Sequence, residues 1–188
     1  MKNQLRIIGG EWKRRQLAFA SIEGLRPTPD RVRETLFNWL MWDIQNAQVL
    51  DLCTGSGALS FEALSRGAKH VIMIEPDRTQ AQFLKQNIQL LKAENCELKV
   101  ATAQQTLPTL KSNFDLVFLD PPYSLNLWEE LAKLSDPLIA ENGLIYIEAD
   151  RDLNTLNLPH SWQSIKQTKA GTVRAALYKK SNSFLMQI

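Results

Sequence analysis

The stretch Asp51–Leu59, DLCTGSGAL, decides the fold. The apolar run 48–53 ahead of it reads as a short strand, and ALSFEALSRGA (58–68) behind it reads as a helix closed by Gly67. Between them Gly55 and Gly57 permit a tight turn and a close approach of backbone to a ligand. The same rhythm continues outward. HVIMIE (70–75) is a second strand, DRTQAQFLKQNIQLL (77–91) a long amphipathic helix, CELKVAT (96–102) a third strand and QQTLPTLK (104–111) a short helix interrupted by Pro108. FDLVFLD (114–120) is a fourth strand, LWEELAKLSDPLIA (127–140) a helix broken near Pro137, and GLIYIEA (143–149) a fifth strand. Strands alternating with helices imply an α/β fold, a parallel sheet with helices on both faces. SWQSIKQTKAGTVRAALYKK (161–180) reads as a terminal hairpin turning at Ala170-Gly171, and SNSFLMQI (181–188) as a loose tail.

On the N-terminal side, QLRIIGGEWKRRQLAF (4–19) reads as two short strands joined through Gly9-Gly10 and a basic turn. Residues 21–29 form a linker with Pro27 and Pro29. DRVRETLFNWLMW (30–42) spaces Val32, Leu36, Phe37, Leu40 and Met41 as a helix, with Thr28 or Asp30 as its cap and Phe37, Leu40 and Met41 in the core. The expected organisation is an extension, 1–45, packed on a core, 46–188.

A chain of 188 residues suits one ordinary core, and 44% apolar against 22% charged residues fits a soluble globular protein. No long apolar stretch lies near the N-terminus, so neither a signal peptide nor a membrane span is expected, and the location expected is cytoplasmic. Cys53 and Cys96 are too few and too far apart for a disulfide framework or a zinc site, and no metal is expected; both sit in apolar runs and read as buried thiols. With no extra apolar helix, a monomer is the default. The net charge of +2 is uneven: residues 1–33 carry eight Lys/Arg against three Asp/Glu, residues 160–188 five against none, and the middle is acidic. Basic ends that met in space would make a patch suited to a phosphate backbone.

Ligands of open α/β sheets bind beyond the carboxyl ends of the strands. Asp51 ends the first strand, and Glu75 ends the second, where an acid can accept from a ribose diol. A dinucleotide fingerprint would place a third glycine where this chain has Ser60, which weighs against NAD. A carboxylate at Asp51 suits a ligand bearing an ammonium group and no phosphate, and S-adenosylmethionine has that group and a ribose diol. Asp120 ends the fourth strand at the same edge and opens the corner Asp120-Pro121-Pro122-Tyr123. The Asp120 carboxylate and the Pro121 carbonyl are two acceptors for the N–H groups of an exocyclic amine, on a backbone stiffened by two prolines that donate nothing. Tyr123 offers a ring on which a base can stack, a contact worth about 1–3 kcal/mol.

DLCTGSGALSFEALSRGA together with LDPPY resembles the class I S-adenosylmethionine-dependent methyltransferases that modify exocyclic amines. LRIIGGEWKRRQL followed by GLRPTPDRVRETLFNWL resembles the bacterial 16S rRNA (guanine-966) N2-methyltransferase family, and the likeness runs from about residue 5 to 180. The resemblance implies a Rossmann-like sheet of seven strands, mostly parallel with the last antiparallel, carrying a small N-terminal hairpin and helix. It implies S-adenosylmethionine held by Asp51, Thr54, Gly55, Gly57 and Glu75, with Thr102 and Ala103 at the adenine, where many relatives have Asp or Asn. It implies a target guanine held by Asp120, Pro121, Pro122 and Tyr123, and a substrate of 16S rRNA in the 30S subunit or its assembly intermediate. Trp12, Lys13, Arg14 and Arg15 in the basic turn, then Arg26, Arg31 and Arg33, are the candidate RNA contacts. The turn reads WKRRQL where the family often has a glycine between its basic residues. Adenine N6 methylation of DNA or RNA remains an alternative, because the corner accepts either amine. A non-catalytic RNA-binding module is a third reading.

Overall fold

The computed structural model describes residues 3–181, so the expected tail lies outside the described residues except for Ser181. Strands β1 (Asn3–Arg6) and β2 (Gln16–Phe19) pair antiparallel with Leu5 opposite Leu17. Helix α1 (Asp30–Trp39) follows the linker. Then come β3 (Gln48–Asp51), α2 (Ala58–Ser65), β4 (His70–Ile74), α3 (Arg78–Leu91), β5 (Cys96–Lys99) and the short α4 (Ala103–Thr106). The chain continues with β6 (Phe114–Leu119), α5 (Trp128–Ser135), β7 (Ile139–Ala149), β8 (Trp162–Ala170) and β9 (Val173–Lys180). The seven strands after α1 form one sheet ordered β5-β4-β3-β6-β7-β9-β8. All run parallel except β9, which is antiparallel to both of its neighbours. Strand order reverses at β3, flanked by β4 and β6, and a ligand crevice belongs at this switch point.

The period of two along the strands divides the core cleanly. Val49, Val71, Met73, Phe118 and Tyr146 face one side, where α1, α2, α3 and the N-terminal hairpin pack. Leu50, Ile72, Ile74, Val117, Leu119, Ile145 and Ile147 face the other, beneath α4 and α5. Each such side chain, buried to a few per cent or less, stabilises the fold by about 1.5–3 kcal/mol. Strand β7 begins before its apolar run, because Ile139 pairs with Phe114 across a register shift; Phe114 thereby faces the α5 side although Leu116 and Phe118 face α1.

Three local expectations change. Met41 is 55% exposed, because α1 ends at Trp39 and the buried stripe stops at Leu40. Neither Thr28 nor Asp30 caps α1; Pro29 holds that position without a side-chain bond, and Asp30 pairs with Arg33 at 2.8 Å. Cys53 and Cys96 are half-buried rather than buried.

The hairpin is tied to the sheet's helices by side chains that read as ordinary helix polarity. The fully buried Glu62 accepts from the Ile8 and Gly9 N–H groups at 2.9 and 3.5 Å. Ser65 Oγ accepts from Trp12 N at 2.9 Å and donates to Gly9 O at 2.6 Å. Gly10 has φ +78°, and a Cβ there would fall 2.0 Å from Ser65 O, so only glycine fits. Burial raises the Glu62 carboxyl, while the Ile8 N–H and the Arg33 and Arg66 charges oppose it. Glu62→Ala leaves buried donors without an acceptor and should destabilise the protein by about 2–5 kcal/mol in chemical denaturation, with Glu62→Gln intermediate.

Candidate active site

Four carboxyls stand along the carboxyl edge of the sheet, each set there by its strand. Asp51 closes β3, Glu75 follows β4, Asp120 follows β6, and Glu148 is the penultimate residue of β7. Asp51 is 1% exposed. Its Oδ2 accepts from Ser60 Oγ at 2.6 Å, whereas Oδ1 is buried without a partner among the described residues. Burial pushes the carboxyl up to about 7 against the pull of Ser60 and the Cys53 backbone N–H, with the Glu75 charge adding to the rise. Ser60, the residue in place of the third glycine, is therefore the brace of the first acid.

The glycine loop is shaped by close contacts. Gly57 has φ +85°, and a Cβ there would lie 2.5 Å from the Phe61 ring. Thr54 is buried; its hydroxyl accepts from Ile74 N at 3.0 Å and donates to Asp51 O at 3.4 Å, so it clamps the loop to β4 instead of facing a ligand. Glu75 accepts from Gly55 N through Oε1 and from Asp77 N through Oε2, both at 3.0 Å. Burial raises its carboxyl, and those two donors limit the rise. Each oxygen keeps lone-pair capacity for a further donor. After β5, Thr102 caps α4 through Gln105 N at 3.1 Å and Ala103 is buried, so the Thr102 hydroxyl is engaged in the cap.

The corner holds Asp120 and Tyr123 half-buried, with Pro121 buried and Pro122 exposed. Tyr123 stacks on Trp128, with centroids 6.0 Å apart and planes inclined at 28°. The Arg151 guanidinium lies 4.2 Å from the Trp128 ring and donates to Asn126 Oδ1 at 2.9 Å and to Tyr123 O at 3.4 Å. The ring that ends the corner is thus backed by an aromatic wall. Burial and the Glu148 and Asp120 charges hold the Tyr123 phenol protonated.

Three residues of this edge gave no local signal. Glu148 reads as part of an apolar strand, Thr28 as a linker residue or helix cap and Gln80 as part of an amphipathic helix. Thr28 Oγ1 lies 3.1 Å from Glu148 Oε2 and 3.4 Å from Asp120 Oδ2. Gln80 accepts from Ala20 N at 2.8 Å and donates to Gly55 O at 2.7 Å. A Cβ on Gly55 would sit 3.0 Å from Leu25 Cδ1. Residues 20–28 therefore cross the edge from the glycine loop to the Asp120 corner.

A family model described as Conserved hypothetical protein 95 matches residues 5–179. The chain belongs to the Conserved hypothetical protein 95 family. It is 44% identical to Ribosomal RNA small subunit methyltransferase D of Haemophilus influenzae, over 95% of each chain. It is 42% identical to the protein of the same name in Escherichia coli K12, over 94% of this chain and 90% of that one. The solved structure of yhhF from Escherichia coli matches with a TM-score of 0.88 at 41% identity, covering 95% of this chain and 99% of that one. The sheet order of this Conserved hypothetical protein 95 chain is that of the class I methyltransferases.

The expected RNA contacts of this family member divide into three groups. Lys13, Arg14 and Arg15 are exposed at the hairpin turn, where Trp12 packs half-buried against the core. Arg15 bonds Leu90 O near the end of α3, whereas Ala20 bonds Gln80 near its start. Ten helical residues separate the two, about 15 Å at 1.5 Å per residue, so the turn lies away from the corner. Arg26 and Arg31 are exposed and flank Thr28 beside it. Arg33 is 1% exposed and donates to Arg6 O and Asp30 at 2.8 Å, so it is structural and does not reach RNA. The hairpin turn and the C-terminal hairpin form no single patch. The turn sits on α3, which packs on β5, whereas the C-terminal hairpin occupies the other edge of the sheet.

A carboxyl raised by burial favours the folded state while protonated. The contribution of Asp51 is complete below its unfolded value near 3.8 and is lost as pH rises through about 7. Asp51→Asn should therefore raise the stability of the ligand-free protein at pH 8 by up to about 4 kcal/mol, and the gain should shrink to less than half by pH 5 in denaturant titrations at the two pH values.

Proposed function

We propose that this chain transfers a methyl group from S-adenosylmethionine to the exocyclic N2 amine of a guanine in 16S rRNA, guanine 966, within the small ribosomal subunit or its assembly intermediate. The observation that carries the reading is the meeting, at one sheet edge, of the Asp51 oxygen buried without a partner and the proline-stiffened corner Asp120-Pro121-Pro122-Tyr123. The names of the relatives support the RNA substrate.

S-adenosylmethionine bound there supplies an electrophilic methyl on a sulfonium. Asp51 Oδ1, an anionic acceptor in a desolvated site, receives the ammonium group, and a cation beside it returns the raised carboxyl to its ionised form. Glu75 receives the ribose diol with the lone pairs that Gly55 N and Asp77 N leave free. Gly55 and Gly57 keep the loop low enough for close approach, and Thr54 fixes the loop on β4. Thr102 and Ala103 border the adenine by position. At the corner, Asp120 and the Pro121 carbonyl accept the two amine N–H groups and turn the nitrogen lone pair toward the methyl. Tyr123, backed by Trp128, stacks on the guanine. Holding both reactants in line provides about 7–11 kcal/mol of the barrier reduction, so no strong free base is required. The guanine must be accessible or turned out of its stack to reach Tyr123. Lys13, Arg14 and Arg15 supply distant phosphate contacts, and Arg26 and Arg31 local ones.

The test offers methyl-labelled S-adenosylmethionine with undermethylated 30S subunits, naked 16S rRNA and duplex DNA, followed by digestion to nucleosides. Labelled N2-methylguanosine from the 30S sample is expected; N6-methyladenine would replace the guanine assignment, and no label would refute the reading. Asp120→Ala should reduce turnover by about 100-fold or more with S-adenosylmethionine affinity nearly unchanged, whereas Glu75→Ala should weaken that affinity. Arg14→Ala with Arg15→Ala should weaken RNA binding and lower the magnitude of its log–log salt slope by about 2, with no change in cofactor binding.

A further inference from the structure

Asp120 and Glu148 are neighbours across the β6–β7 pair, where Leu119 opposes Ile147. Their carboxyls lie close enough for each to shift the other's proton affinity. Thr28 Oγ1 lies within reach of both, and a hydroxyl has one hydrogen to give. Glu148 is 2% exposed, and Trp128 Nε1 fixes its backbone by donating to Glu148 O at 2.9 Å. Its Oε1 is buried without a partner of hydrogen-bonding geometry, as is the Tyr146 hydroxyl beside it. The groups facing the pair are Thr28 from the linker, Asp51 at the end of β3, Cys53 just after it, Tyr123 from the corner and Tyr146 from β7. No lysine or arginine forms an ion pair with either carboxyl among the described residues. Two desolvated acids without a cation hold one proton between them.

We propose that Glu148 is a positioning residue of the methyl transfer, acting through Asp120 as the terminal acceptor of the proton that the target amine loses. The inference rests on the function proposed above. The balance is closed. The amine lone pair forms the nitrogen–carbon bond, and the methyl–sulfur bond leaves its pair on sulfur. The amine N–H proton passes to Asp120 as the proton of Asp120 passes to Glu148. The negative charge thus moves from Glu148 to Asp120 as positive charge develops on the nitrogen. Thr28 keeps both carboxyls in register through that exchange.

Burial, then the Glu148 charge, raises Asp120 well above the ordinary carboxylate range, and burial raises Glu148 as well, with Asp120, Thr28 and Tyr146 opposing that second rise. In Glu148→Gln the like charge is gone and nothing can take the Asp120 proton, so only ionised Asp120 is competent. Single-turnover methyl transfer by the wild type should be flat from pH 6 to 8. The rate of Glu148→Gln should be at least about tenfold lower at pH 6 and should climb with pH, with S-adenosylmethionine affinity within twofold of wild type. Glu148→Asp should recover part of the loss.

A readout independent of activity comes from infrared titration of the ligand-free protein, taken as the difference between wild type and Glu148→Gln so that Asp51 cancels. The acid carbonyl band of Asp120 should disappear at a lower pH in the variant than in the wild type, because the Glu148 charge that raises it is gone. A Glu148→Gln protein with wild-type rates, a flat profile or an unchanged band would overturn the inference while leaving the methyltransferase reading intact. A wild-type protein that transfers no methyl to any substrate would refute that reading instead.

Discussion

The constraint on which this structure depends is the crowding of carboxyls at one edge of a sheet, with no ion-paired cation beside them among the described residues. Asp51, Glu75, Asp120 and Glu148 are all desolvated, and burial is the first cause of the shift in each. Neutral donors hold them in place: Ser60 for Asp51, two backbone N–H groups for Glu75, and Thr28 for the pair at the corner. Burial raises each of the four, so keeping them ionised costs stability in the ligand-free chain. A cationic ligand lowers that cost, and binding and stability are linked accordingly.

The N-terminal segment completes the edge. The sheet alone leaves the glycine loop open above and the corner acids without their hydroxyl partner. The hairpin docks on Glu62 and Ser65, and its continuation passes from Gln80, past Leu25 against Gly55, to Thr28 between Asp120 and Glu148. A segment that reads as an accessory to a complete nucleotide-binding core is part of the site wall. Arg26 and Arg31 are exposed on that wall, which puts these two candidate RNA contacts on the same piece of backbone as Thr28, the hydroxyl that meets the corner acids.

Much of this was legible in the sequence because its signals are local. The glycine loop, the proline corner, the alternation of strands and helices and the terminal hairpin each lie within a few consecutive residues. The parts that were not legible are pairings across long separations. Thr28 with Glu148 spans 120 residues, and Ala20 with Gln80 spans 60. Nothing in GLIYIEA distinguishes a working acid from a strand residue, and nothing in DRTQAQ separates Gln80 from solvent-facing glutamines. Ser60 reads as the lack of a glycine, whereas in space it is the donor that Asp51 needs. Charge summed along the chain could not show that Arg33 turns inward or that the basic hairpin turn lies at the opposite edge of the sheet from the C-terminal hairpin.

The position of β9 has a consequence for the order in which the molecule is made. It is the last strand among the described residues, yet it lies between β7 and β8. While the chain emerges from its own ribosome, β7 has a free edge until the whole of β8 and then residues 173–180 have been synthesised. Non-local pairing of that kind closes late, because the loop must be ordered before the ladder rewards it. Glu148 pairs across to Ala175 on that late strand. The cofactor loop is thus built early in synthesis, and the acid behind the corner gains its final surroundings only when nearly all of the described chain is available to fold.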